Sequence, residues 1–339
     1  MPNSSGGYVT RGLVLAVLLG CGPSTGVKPP SPPASPTATS PRSYRVRDAT
    51  GPLLQYLERS SALSAEARVE TFERLVVAAN PDLFEPGVLS RGVKTWTGLD
   101  ARLREVLPAL ENRREGIQRV SAQLATELAT HDASFRRAFP DMKWSGTVVF
   151  TTSLDAFDGG LRPVKGETTL LFGVDKIVKI YGENARIGPL FHHELFHCYH
   201  TDVNATLEPT AESHGVLEPL WAEGLAVYVA ATLNPDATPD QLTLRDPMTR
   251  EVDAVQGRLA GELRGLLDDI SEEGYRDFFL GAGQRADVPK RAGYLLGFRV
   301  AKHVATRTGR SLPELARLRR PELRGLVDEA LAALAAGGS

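Results

Sequence analysis

The chain has 339 residues, of which 42% are hydrophobic and 24% charged, so it is long and apolar enough to bury a sizeable core. Its net charge of −2 provides no basic footprint, and nucleic acid is therefore excluded as an expected partner.

At the amino terminus, Arg11 precedes an apolar run from Leu13 to Leu19 that is too short to cross a bilayer as a helix. The run ends in Leu18-Leu19-Gly20-Cys21, a small residue followed by cysteine. This resembles the lipobox of bacterial lipoproteins. The resemblance implies that residues 1–20 are a signal peptide cut before Cys21, and that Cys21 carries a lipid anchoring the protein to a membrane. An ordinary secretion signal with an incidental cysteine is the alternative. Gly22, rather than Asp, after the cysteine argues against retention at the inner membrane, so the expected place is the outer membrane of a bacterial cell envelope. With Cys21 lipidated, Cys198 has no partner and reads as a small packed thiol. From Gly22 to Arg42 there are seven prolines among Ser, Thr, Ala and Gly. Such a composition cannot bury a core, so residues 21–43 read as a lipidated cysteine and its tether.

Residues 44–142 read as almost wholly helical. Leu63-Ser64 opens a segment with Val69, Phe72, Val76 and Ala79 on one stripe, closed by Asn80-Pro81. A longer helix carries Ile117, Val120, Leu124 and Leu128. Nothing in this region suggests chemistry, and His131 reads as a surface residue after a helix end. The texture changes at Trp144, where the expected second domain, 143–339, begins. Residues 146–152 and 168–173 are rich in β-branched and aromatic side chains, with Asp158-Gly159-Gly160 between them as turn chemistry.

The densest chemistry lies in Phe191-His192-His193-Glu194-Leu195-Phe196-His197. Residues four apart on a helix share a face, so His193 and His197 can offer two imidazoles to one Zn²⁺. Glu194 leans toward the same ion, where a carboxylate can take a proton from a bound water. Pro189 after Gly188 suits a helix start. The pattern is short, and a partly buried histidine pair is the bland reading, so a third ligand is the test. The spacing of a third histidine in metzincins is not met, because Val203 stands at that position. Glu223 lies 26 positions past His197, on a second helix opened near Pro219 and stopped by Asn234-Pro235. Its neighbours Leu220 and Val227 are apolar, and an acid beside a buried face needs a partner or a metal.

The combination of His193-Glu194-x-x-His197 with a distant glutamate in Trp221-Ala222-Glu223-Gly224-Leu225-Ala226 resembles the gluzincin zinc metallopeptidases. The resemblance implies an α+β, mostly helical, zincin-like fold with a short twisted sheet beside a zinc-binding active-site helix. It further implies His193, His197 and Glu223 as metal ligands, Glu194 as general base, Zn²⁺ as cofactor and a peptide or protein as substrate. An edge strand bordering the cleft is expected at residues 168–173, against the plainer reading of a structural hairpin. The interval from His197 to Glu223 is a few residues longer than in the best-known members, and residues 203–217 read as a loop that absorbs the difference. Val227 stands where those members often have an Asp behind a zinc histidine, so the residues supporting the ligands must differ.

Downstream, helices are expected near 249–271 and 289–307, followed by a last pair opened by the capping box Ser311-Leu312-Pro313-Glu314. Tyr294-Leu295-Leu296-Gly297 resembles the Tyr-x-x-Gly turn from which several gluzincins supply an oxyanion donor. Tyr294 is the expected catalytic donor; an interhelical tyrosine beside close-packing glycines is the alternative. His200, His214, Tyr228 and Arg299 are the fallback donors. The competing function is a non-catalytic zinc-binding or scaffold lipoprotein, which has no use for a base at Glu194.

Overall fold

The computed structural model describes residues 43–90, 95–182, 185–207, 215–242, 246–280 and 285–337. The expected signal peptide, Cys21, the proline-rich stretch and His214 lie outside those residues.

Helices dominate, as expected, around one small mixed sheet. Its strands are β1 (Arg45–Asp48), β2 (Thr147–Thr151), β3 (Gly159–Val164) and β4 (Glu167–Gly173), ordered β1-β2-β4-β3. β1 and β4 run parallel to β2, and β3 pairs antiparallel to β4. Three expectations change here. Residues 44–142 are not wholly helical, because Arg45–Asp48 pairs with β2. Residues 168–173 are not an edge: β4 is buried between two neighbours, which suits its unbroken apolar run Leu170-Leu171-Phe172. The edges are β1 and β3, and Asp158-Gly159-Gly160 leads into β3 rather than turning between β2 and β4. The β3–β4 turn is Lys165-Gly166, where both residues have positive φ.

The amino-terminal helices are α1 (Gly51–Arg59), α2 (Ala65–Phe72), α3 (Pro86–Leu89), α4 (Leu99–Asn112) and α5 (Arg114–Ala138). Ser64 caps α2, its Oγ accepting from the Ala67 amide at 3.3 Å. Val69, Phe72 and Val76 are buried as the stripe requires, but Ala79 is exposed. A π-helical turn over Glu73–Val77 accounts for this, since it shifts the phase of the stripe before Ala79. The four apolar residues expected on the long helix are buried along α5.

After the sheet come α6 (Val174–Tyr181), α7 (Ile187–Asn204) and α8 (Leu217–Leu233). The helix α7 therefore runs into the expected 203–217 loop, and the Asn204 side-chain amide donates to the carbonyls of Ala316 and Leu318 at 3.1 and 2.7 Å. From Ile187 to His200 every residue of α7 is buried except Glu194 and His197. From Pro219 to Val227 every residue of α8 is buried except Glu223. A helix buried on all sides needs apolar neighbours all round. For α7 they include the sheet, through Phe191 against Phe150 and Phe172, and α5, through Phe135 and His131.

The carboxy-terminal helices are α9 (Asp246–Gly265), α10 (Glu272–Tyr275), α11 (Ala292–Thr308), α12 (Leu312–Ala316) and α13 (Arg320–Ala335). The capping box at α12 forms, with the Ser311 amide donating to Glu314 at 2.8 Å. The helix α11 packs on α8, and two glycines meet where they touch. A Cβ on Gly224 would lie 2.1 Å from the carbonyl carbon of Gly297, so only hydrogen side chains permit this crossing. The crossing brings Glu223, one residue before Gly224, to the cleft that also contains Tyr294, one turn before Gly297.

Candidate metal centre and its cleft

The spacing of His193 and His197 places both rings on one side of α7, with their Nε2 atoms 3.2 Å apart. From α8, Glu223 Oε2 lies 3.3 Å from His193 Nε2 and 3.6 Å from His197 Nε2. Two ligands of a tetrahedral zinc, each about 2.0–2.1 Å from the ion, stand about 3.3–3.4 Å apart. The three observed separations bracket that edge, so the donor set fits one Zn²⁺ in both chemistry and spacing. Among the described residues these three form the one cluster of metal-binding side chains. The distal glutamate thus reaches both imidazoles.

Burial alone would raise the Glu223 carboxyl, but the His197 and His193 rings beside it outweigh burial and hold it well below the usual carboxylate range. Glu194 behaves oppositely. Burial pushes its carboxyl up against the opposing pull of His193 and His197, and Asp158 and Glu223 push it further up. Two glutamates that feel the same imidazoles are thereby moved in opposite directions, the kind of split that suits one carboxylate to a cation and the other to a proton. Gly159 at the start of β3 makes room for the acceptor: a Cβ there would stand 2.8 Å from the Glu194 carboxylate.

These groups line a cleft of about 360 Å³, a volume suited to part of a peptide. Asp158 to Arg162, on and before β3, line it together with Tyr181, Tyr275, Arg291 and Tyr294, and the Tyr181 hydroxyl donates to Asp158 at 3.1 Å. Tyr294 is therefore in the cleft, its phenol pushed well above its ordinary value by burial and by the charge of Glu223. His200, Tyr228 and Arg299 are not among the lining residues. His200 is buried against Phe196, and Arg299 is engaged by Gln256 and Asp253. Behind the ligands, His193 Nδ1 is buried with no hydrogen-bond partner among the described residues, so the support absent at Val227 is not replaced on that ring. Residues 158–162, Tyr181, Tyr275 and Arg291 were not singled out from the sequence as cleft residues. The glycine pair Gly159-Gly160 was the available signal, and it was read as a turn.

His192 and His131 are the opposite case. His131 sits within α5, not after its end, and its ring packs edge-on against His192 at 5.3 Å. His192 is fully buried. Its Nε2–H donates to the His131 carbonyl at 2.9 Å with Ser134 Oγ 3.0 Å away, and its Nδ1 accepts from Asn234 Nδ2 at 2.8 Å. Burial pulls its pKa down to about 4, so the ring is neutral.

A protein-family model described as "Predicted Zn-dependent protease (DUF2268)" matches residues 174–323. This stretch is similar to a family of predicted zinc-dependent proteases. It takes in α6 through the start of α13, and so includes all three candidate ligands, Glu194 and Tyr294, while leaving out the sheet and the amino-terminal helices. No curated protein and no solved structure matches the chain.

Proposed function

We propose that the protein is a zinc-dependent peptidase of the gluzincin type, held at a bacterial cell envelope by a lipid on Cys21. The observation that carries the catalytic part is the convergence of His193, His197 and Glu223 at tetrahedral spacing, with a raised-pKa carboxylate beside them and a cleft in front. The anchoring part rests on the lipobox-like Leu18-Leu19-Gly20-Cys21 and the proline-rich stretch after it.

His193, His197 and Glu223 would hold a zinc ion. Zinc bound there would supply an acidified water and a polarising charge for a scissile carbonyl. Glu194 accepts the water's proton and returns it to the departing amine, and its burial raises its pKa toward the range where both transfers are efficient. Tyr294, with its proton firmly held, donates a hydrogen bond to the oxygen that gathers negative charge. The open edge of β3, the antiparallel strand at the cleft, offers main-chain groups to an extended peptide, which gives affinity without demanding particular side chains.

The deciding experiment is metal analysis of the protein together with hydrolysis of a peptide library before and after chelation. One zinc per chain, turnover lost to chelator and restored by zinc is the expected result. One tightly held zinc without turnover would favour a scaffold lipoprotein instead, and absence of metal would end both readings.

A further inference from the structure

Asp158, Arg162 and Arg291 line the cleft without a part in the mechanism, and of these Arg291 lies against the expected oxyanion donor Tyr294. Arg291 stands on the rim of the cleft immediately before α11, and its backbone is left-handed, with φ +63°. A non-glycine residue rarely adopts that conformation without compensation, and such strain gathers at functional positions. Hydrogen bonds hold the turn on both sides, from the Ala292 amide to the Pro289 carbonyl and from the Tyr294 amide to the Arg291 carbonyl, each at 3.0 Å. The guanidinium lies over the Tyr294 ring, 4.1 Å from its centroid, so the side chain is clamped as well as the backbone.

What this clamped cation lacks is an anion. Among the described residues no carboxylate comes within ion-pair distance of it. Arg113, which is also shielded from water, does have one, binding Asp155 at 2.5 Å, while Arg162 in the same cleft donates to the Val88 carbonyl at 3.1 Å. Asp158 acts on Arg291 only at longer range, and its Oδ2 already accepts from the Tyr181 hydroxyl at 3.1 Å. The charged side chains lining the cleft are Asp158, Glu194, Glu223, Arg162 and Arg291, so a divalent ion on the trio leaves the cleft with an excess of positive charge. The guanidinium also hydrogen-bonds Tyr294, which takes up part of its N–H set, and its remaining N–H groups match the oxygens of a carboxylate.

We propose that Arg291 binds a carboxylate of the substrate, so that the peptides cleaved are those carrying a carboxylate close to the scissile bond. This rests on the peptidase reading and names its substrate class. The carboxylate can belong to an acidic side chain or to a free peptide carboxy terminus.

The test uses zinc-loaded protein and peptides matched in pairs, Glu against Gln at each position flanking the cleaved bond, each made as free acid and as carboxy-terminal amide. The wild type is expected to cleave one member of a pair with about ten- to hundredfold higher kcat/KM than its neutral partner. A Glu/Gln difference identifies a side-chain carboxylate, and an acid/amide difference identifies the terminus. In Arg291→Met the ratio collapses to within about twofold, and Arg291→Lys retains part of it, with zinc content and melting temperature checked for both. Equal rates within every pair for the wild type, or an undiminished ratio in Arg291→Met, overturns the proposal and leaves the peptidase reading intact. If no peptide is cleaved, that reading fails separately. Calorimetric binding of the same pairs to Glu194→Gln, with and without Arg291→Met, then decides the matter, and equal affinities within each pair overturn the proposal.

Discussion

His192 and His193 are neighbours in sequence and face opposite environments. The inward ring is anchored on both nitrogens, to the His131 carbonyl and Ser134 on α5 and to Asn234 beyond α8. It stitches α5 to α7 and to the end of α8, and has no free lone pair to offer an ion. The outward ring turns its Nε2 toward two other ligand atoms within 3.3 Å, a crowding of donors that only a shared proton or a shared cation relieves. The lesson is that a structural histidine is recognised by saturation and a metal-binding one by convergence.

Substitutions on the two sides of α7 should therefore fail in different ways. The largest effect is expected for Glu223→Ala, which removes the one ligand contributed by α8: zinc falls from one equivalent to below about 0.1 after dialysis, measured by atomic emission, and turnover goes with it. Next, Glu194→Gln should keep the zinc and lower kcat by about 10²–10⁴-fold; unchanged turnover would remove Glu194 from the mechanism. On the inward side, His192→Leu removes the hydrogen bonds to Asn234 and the His131 carbonyl, which keep Ala230 and Ser134 as partners, and should lower unfolding stability by about 2 kcal/mol in denaturant titration. Its zinc content should not change, and a loss of metal at native temperature would show that the two faces are not separable. The smallest effect is expected for Gly159→Ala, which forces a methyl against the Glu194 carboxylate. A drop of about tenfold in kcat, with little change in melting temperature, would place the start of β3 among the groups that hold the base.

Much of the metal centre was legible before any tertiary information. Helical periodicity alone puts His193 and His197 on one side of a turn, and the apolar residues around them require a buried helix. Ser64 and Ser311 marked their helix starts because a side-chain oxygen has a local partner only three residues away. The sheet was read less well. A run such as Thr168–Phe172 says that a strand is buried, not which neighbours it has, so its position between β2 and β3 could not be inferred. β1 was missed for the same reason: Arg45–Asp48 is charged at both ends, and only its parallel pairing with β2, about a hundred residues away, makes it a strand.

From the sequence by itself came the candidate histidine pair His193 and His197, the neighbouring Glu194 and the helices that carry them, because those relations are local and repeat every few residues. Only the tertiary structure decided that Glu223 reaches both imidazoles, that β3 rather than β4 borders the cleft, and that Arg291 lies over Tyr294 with no carboxylate in ion-pair distance. Each of those depends on how separate elements pack, above all on the contact of Gly224 with Gly297, where missing side chains let two helices touch. Such a contact has no periodic signature in one chain, since a glycine in a helix looks the same whether it faces water or another backbone.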